Sequence, residues 1–156
     1  MKLFSVTALG LALLAAPAFA DGHASGDAEA GKKVFNKCKS CHTIADAEGN
    51  TIVKGGRTGP NLYGILGRAA GSADFKFGKS IVKAGEEGLV WNEETFTGYV
   101  TDPKKFLKEV TGDDRAKSKM SFKLKKEAEM ANVWAYLVSV GPEVAATEEA
   151  EAASDG

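Results

Sequence analysis

Five consecutive residues, Cys38-Lys39-Ser40-Cys41-His42, constrain this chain more than any other stretch. On a helix, positions i, i+3 and i+4 share one face, so both thiols and the imidazole project the same way. Three chemistries use such a cluster: a redox dithiol, part of a zinc site, and the covalent attachment of haem.

A structural zinc site takes four ligands, usually Cys or His. The chain has two of each, and His23 lies in a flexible lead-in. A thioredoxin-like centre opens a helix inside a βαβ pattern, whereas this motif is expected to close the first helix of an all-α chain. A chance match in a fold without a cofactor is the plain alternative. Haem suits the geometry best, since two thiols form thioethers with the vinyl groups on one porphyrin edge while the adjoining imidazole reaches the iron. Cys-x-x-Cys-His is the attachment signature of c-type haem.

The compartment agrees with that reading. Residues 1 to 20, MKLFSVTALGLALLAAPAFA, run from one lysine through an apolar stretch to Ala18-Phe19-Ala20, the pattern of a secretory leader cleaved after Ala20. The run is shorter than the roughly twenty residues a membrane anchor needs. Export to the periplasm places the cysteines where plain thiols tend towards disulfides unless other chemistry consumes them. Residues 21 to 142 form one small domain with nineteen basic and sixteen acidic side chains, a net +3, and residues 143 to 156 form an acidic tail expected to be disordered.

Capping and periodicity predict about five helices. Asp27 caps a first helix over about 28 to 42. Short helices follow at about 79 to 86 and 93 to 101. Asp102-Pro103 starts another over 103 to 110. The last, about 125 to 140, aligns Met130, Val133, Trp134, Leu137 and Val138 on one face and stops at Gly141-Pro142. Between the first two helices the chain is dense in glycine and has no period, which reads as loop wrapped over something.

A haem iron bound by one histidine leaves an opposite position, and its occupant separates electron transfer from catalysis. Past the leader, Met120 and Met130 are the two thioethers. Met130 belongs to the apolar stripe of the last helix. Met120 sits in the basic, non-periodic stretch KSKMSFK with no helical face to serve, and is the expected ligand.

CKSCHT, TGPNLYGILGR, Trp91, YVTDPKKF and finally Lys119-Met120 occur in the order and approximate spacing of the class I c-type cytochromes, most similar to the bacterial periplasmic cytochrome c-two type. The resemblance covers about residues 27 to 140. It implies an all-α, single-domain cytochrome c fold of about five helices and long Gly-rich loops around one covalent haem c and its iron. His42 resembles the proximal ligand and Met120 the distal one. Pro60 resembles the proline whose carbonyl accepts from the imidazole. Arg68 and Trp91 resemble residues near the haem propionates, and Tyr99 the tyrosine beside the methionine sulfur. Gly31, Phe35 and Tyr136 look like the contact between first and last helices. Taken alone, Trp91 and Tyr99 are core aromatics, Arg68 a solvated cation and Pro60 a turn former; the ordered match reverses that ranking. Phe77 stands where many relatives carry a tyrosine, and the stretches ADAEGNTIV and VTGDDRAK exceed the short mitochondrial pattern.

The expected function is a soluble electron carrier, not an enzyme, shuttling single electrons from a cytochrome bc complex to a terminal oxidase or photosynthetic reaction centre. Lys37, Lys39, Lys104, Lys105, Lys117, Lys119 and Lys123 flank the two ligands and are expected to steer acidic docking surfaces. The protein is expected to be a monomer, with no nucleic acid partner and no stable membrane insertion. The alternative from another class is a small haem enzyme or gas sensor with an open sixth iron position.

Overall fold

The computed structural model describes residues 24–142. The leader and tail expectations lie outside those residues. Five α-helices carry the fold: α1 (Ala28–Val34), α2 (Lys79–Glu86), α3 (Glu93–Thr101), α4 (Pro103–Thr111) and α5 (Glu127–Ser139). A short antiparallel pair, β1 (Ile44–Ala45) and β2 (Thr51–Val53), accompanies them, joining Ile44 to Val53.

Three of the five helices, α1, α3 and α4, start at a capping side chain. Asp27 accepts from the amide of Ala30 at 2.7 Å, and Asn92 and Thr95 form a reciprocal capping box on α3. Asp102 caps α4 ahead of Pro103, whose missing amide is not needed in a first turn. The expected ranges of α2 and α3 coincide with those observed.

The first helix departs from expectation. It ends at Val34 rather than 42, tightens into a 3-10 turn over Phe35–Lys37, and passes the cysteines in a hydrogen-bonded turn. The amides of Cys41 and His42 both reach the carbonyl of Cys38, at 3.0 Å each. The i+3 and i+4 bonding that groups the three side chains is therefore kept without a regular helix.

The first and last helices cross at Gly31, where an added Cβ would collide with the carbonyl of Asn132 on α5. No other residue permits that approach without moving one helix. Phe35 and Tyr136 fill the flank of the crossing, ring centres 5.7 Å apart. The core runs on through Trp134, which tilts against Phe96 of α3 at 5.2 Å, and through Leu107 of α4, fully buried.

Candidate functional site

A cavity of about 230 Å³ opens between the cysteine turn, the stretch 58–78, helix α3 and the loop from Lys117 to Leu124. Its deeper wall is apolar, formed by residues such as Ile65, Ile81, Leu107 and Leu137. Among the described residues no buried side-chain polar atom lacks a hydrogen-bond partner. The interior therefore asks for an apolar body with few polar needs.

Cys38, Cys41 and His42 all line this space. The Nδ1 of His42 lies 2.8 Å from the carbonyl oxygen of Pro60. A carbonyl only accepts, so Nδ1 carries the proton and Nε2 keeps its lone pair. Burial holds the imidazole below its ordinary range, opposed by the Pro60 bond, which favours the protonated ring. Gly59 backs the ring so closely that a Cβ there would stand 2.7 Å from Nδ1. The two thiols differ: burial pushes Cys38 up to about 11, while hydrogen bonds from Thr58 and Ser40 pull the exposed Cys41 below its usual value.

Met120 lines the same cavity from the opposite loop. That loop has no helix or strand of its own, and its position is set by a few bonds. Leu124 donates its amide to Val100 at 2.8 Å, and Lys117 donates its amide to Ser80 Oγ at 3.0 Å. The oxygen of Ser118 accepts the Met120 amide at 3.1 Å and meets the Tyr99 hydroxyl, also at 3.1 Å. Met130 is absent from the cavity lining. It is 3% exposed and its sulfur accepts from Thr101 Oγ1 at 3.2 Å.

The remaining expected residues divide. Trp91 and Tyr99 line the cavity, edge to face at 5.2 Å. The hydroxyl of Tyr99 is bonded to Ser118, so its hydrogen-bonded link to the Met120 segment runs through that residue. Burial raises the Tyr99 hydroxyl above its ordinary range, and the Ser118 bond pulls the other way. Arg68 lines the cavity and donates to the carbonyls of Tyr63 and Asn61 at 2.9 and 3.1 Å. It forms no ion pair among the described residues, and burial lowers its affinity for its proton. Phe77 also lines the wall, 5.1 Å from Phe75, and places an apolar ring there.

Three of the seven expected docking lysines, Lys37, Lys117 and Lys119, line the cavity; Lys39, Lys104, Lys105 and Lys123 do not. Several are already engaged. Lys37 pairs with Glu129 at 2.6 Å, Lys123 with Asp102 at 2.5 Å and Lys105 with Glu109 at 3.6 Å. The sequence reading missed Ser118, a lone serine in a polar loop, and Phe122, a 38% exposed aromatic at the cavity beside Met120. Its place two residues past Met120 was the available signal for Phe122.

A family model described as Cytochrome c matches residues 28–141. The chain is 56% identical to a cytochrome c-551 of Roseobacter denitrificans over 85% of this chain and 91% of that one. It is 55% identical to a cytochrome c2 of Cereibacter sphaeroides over 88% and 96%. The solved structure of a cytochrome c2 from Rhodobacter sphaeroides superposes with a TM-score of 0.72 at 58% identity, covering 74% of this chain and 97% of that one.

Proposed function

The chain belongs to the cytochrome c family, with the bacterial c2 and c-550 proteins of class I, and on that premise we propose the residues, partners and compartment through which it works. It is an electron carrier, not an enzyme, and its cofactor is haem c held through the cysteine pair.

The residues fit that group. One cavity is bordered by two thiols, an imidazole with its Nε2 free and a thioether from the opposite loop, and Gly59 leaves the space the ring occupies. In the proposed assignment Cys38 and Cys41 form the thioethers, and His42 and Met120 hold the iron. Haem then supplies a one-electron couple between ferrous and ferric iron.

The protein's share is to bind, orient and insulate. Pro60 fixes the His42 ring and, by accepting a hydrogen bond from Nδ1–H, raises the basicity of Nε2. Met120 would hold the iron in place of a substrate, and a thioether ligand in an apolar wall would favour the ferrous state. Trp91 and Tyr99 supply cavity wall, and the Arg68 guanidinium, with no carboxylate partner among the described residues, is the natural partner for the haem's acidic side chains. The observation that carries the reading is that His42 and Met120, far apart in sequence, line one cavity together with both cysteines.

The partners proposed are membrane redox complexes with acidic docking surfaces: a cytochrome bc complex as donor, and a terminal oxidase or photosynthetic reaction centre as acceptor. Lys37, Lys39, Lys104, Lys105, Lys117, Lys119 and Lys123 remain the proposed docking set. No helix among the described residues is long and apolar enough to cross a membrane. We place the working form in the periplasm as a monomer, with residues 1–20 removed, a domain over 21–142 and the acidic tail beyond it.

Spectra of the purified protein, oxidised and reduced, test the reading together with extraction in acidified organic solvent. Thioether-bound haem stays on the polypeptide. Complete release of the haem would overturn the roles given to Cys38 and Cys41.

A further inference from the structure

The bond between His42 and Pro60 needs the Pro60 carbonyl aimed at the ring, and the residue that follows holds that aim. The carbonyl lies in the peptide plane shared with Asn61, so its direction turns with ψ of Pro60 and φ of Asn61. Asn61 is half-buried and held by four hydrogen bonds. Its Oδ1 accepts from the amides of Ala45 at 3.1 Å and Tyr63 at 3.0 Å, and its Nδ2 donates to the carbonyl of Ala45 at 2.7 Å. Its own carbonyl accepts from Nη2 of Arg68 at 3.1 Å. The two-way pairing with Ala45 fits one orientation of the side-chain amide, since the flipped group would set oxygen against oxygen and N–H against N–H.

We propose that Asn61 is a positioning residue for His42: by pairing with Ala45 it fixes the Pro60 peptide against the imidazole. The inference rests on the reading of His42 as an iron ligand. Pro60 and Leu62 border the cavity while Asn61, between them, does not, so Asn61 acts through the ring and not on the cofactor. Ala45 ends β1, three residues past His42. The Asn61 side chain takes the place of a strand neighbour to it, exchanging both bonds with one residue. Asn61 thereby sets the spacing between the chain leaving His42 and the peptide that accepts from its ring. The flanking backbone bonds, from Gly59 to Cys41 at 2.9 Å and from Leu62 to Thr43 at 3.1 Å, hold the segment on either side of Pro60 and Asn61. Neither sets the tilt of the peptide between them. When the Asn61 side chain lets go, the Pro60 carbonyl is free to turn and Nδ1–H loses its acceptor.

Hydrogen exchange of the His42 Nδ1 proton, followed by nitrogen-15 NMR of the reduced holoprotein, reads that opening. Asn61→Ala should speed it about tenfold, the scale that lost hydrogen bonds give in a local opening equilibrium. Asn61→Asp, of the same size, keeps acceptors for the Ala45 and Tyr63 amides but sets an oxygen against the Ala45 carbonyl, and should also exchange faster than wild type. Amides of α5 in the same samples report global opening and should accelerate less than the Nδ1 proton. Asn50→Ala removes a side-chain bond to Asp46 in the neighbouring turn, leaves the Pro60 peptide untouched, and should not change Nδ1 exchange. If neither Asn61 variant speeds Nδ1 exchange beyond its own α5 amides, or beyond Asn50→Ala, the positioning role is overturned and Asn61 only closes the turn at Ala45. The reading beneath it fails separately: wild type whose His42 ring protons show no paramagnetic shift on oxidation has no imidazole on the iron, whatever the Asn61 variants do.

Discussion

The Nδ1 of His42 lies 2.8 Å from the carbonyl oxygen of Pro60, and that one bond decides which ring nitrogen faces the cavity. The bond needs the ring held at the right tilt, and Gly59 provides the space. Gly59→Ala should push the imidazole away from Pro60, destabilise the holoprotein by roughly 1 to 3 kcal/mol through overpacking, and alter the electron paramagnetic resonance of the oxidised iron. Unchanged denaturation midpoints and spectra would remove Gly59 from the site.

The two methionines should separate cleanly. Met120→Ala should open the iron, lower the potential and admit carbon monoxide to the reduced protein. Met130→Ala should leave the spectrum alone and cost about 2 to 5 kcal/mol in stability, as large-to-small changes in a packed core do. Denaturant melts and carbon monoxide titration of both variants decide it; the reverse pattern would exchange their roles.

Docking charges should not be equal. Lys39 and Lys104 are exposed and form no ion pair among the described residues, whereas Lys37 and Lys123 already face Glu129 and Asp102. Reversing Lys104 to Glu should slow transfer to an acidic partner more than reversing Lys105, which is shared with Glu109. Both effects should fade as salt rises, because the screening length falls from about 10 Å at 0.1 M to about 3 Å at 1 M. Stopped-flow rates across a salt series measure this, and rates independent of salt and of both reversals would leave the lysines without a docking role.

Acid should loosen the α3–α4 corner through Asp102. The bonds from Lys123 and from the Lys105 amide hold its carboxyl below the usual carboxylate range. A depressed folded value means stability that is present above pH 4 and lost as pH falls through the folded value. Asp102→Asn keeps a capping oxygen but cannot titrate, so its melting temperature should fall less steeply than that of wild type below pH 4. Parallel acid curves for the two proteins would show that Asp102 contributes nothing to that slope.

Helices were legible where caps and periodicity agree, as at Asn92 before α3 and Asp102-Pro103 before α4. The early end of α1 was not, because the turn after Phe35 keeps i+3 and i+4 bonds while losing helical regularity, and sequence spacing does not distinguish the two. The β1–β2 pair was invisible for a simpler reason: two- and three-residue strands are too short to show alternation. What fixes their connection is Asp46, whose side chain accepts from the amides of Glu48 and Asn50 and from the Asn50 side chain. At the site, the motif and Met120 carried their own chemistry in residue type and context. Ser118 did not, since a serine in a polar loop looks the same whether it bonds across a cavity or faces water.

The crossing at Gly31 also bears on how the chain is made. The segment that precedes the cysteines packs on a helix from the far end of the described chain, a contact that closes a long loop. Such a contact pays its loop-closure entropy before it returns any packing. A chain made from its N-terminus therefore has α1 without its partner until α5 has followed. During that interval the cysteine turn is tethered at neither end of the bundle, and both thiols stay open to whatever attaches their cofactor. The α1–α5 crossing cannot close before α5 is made.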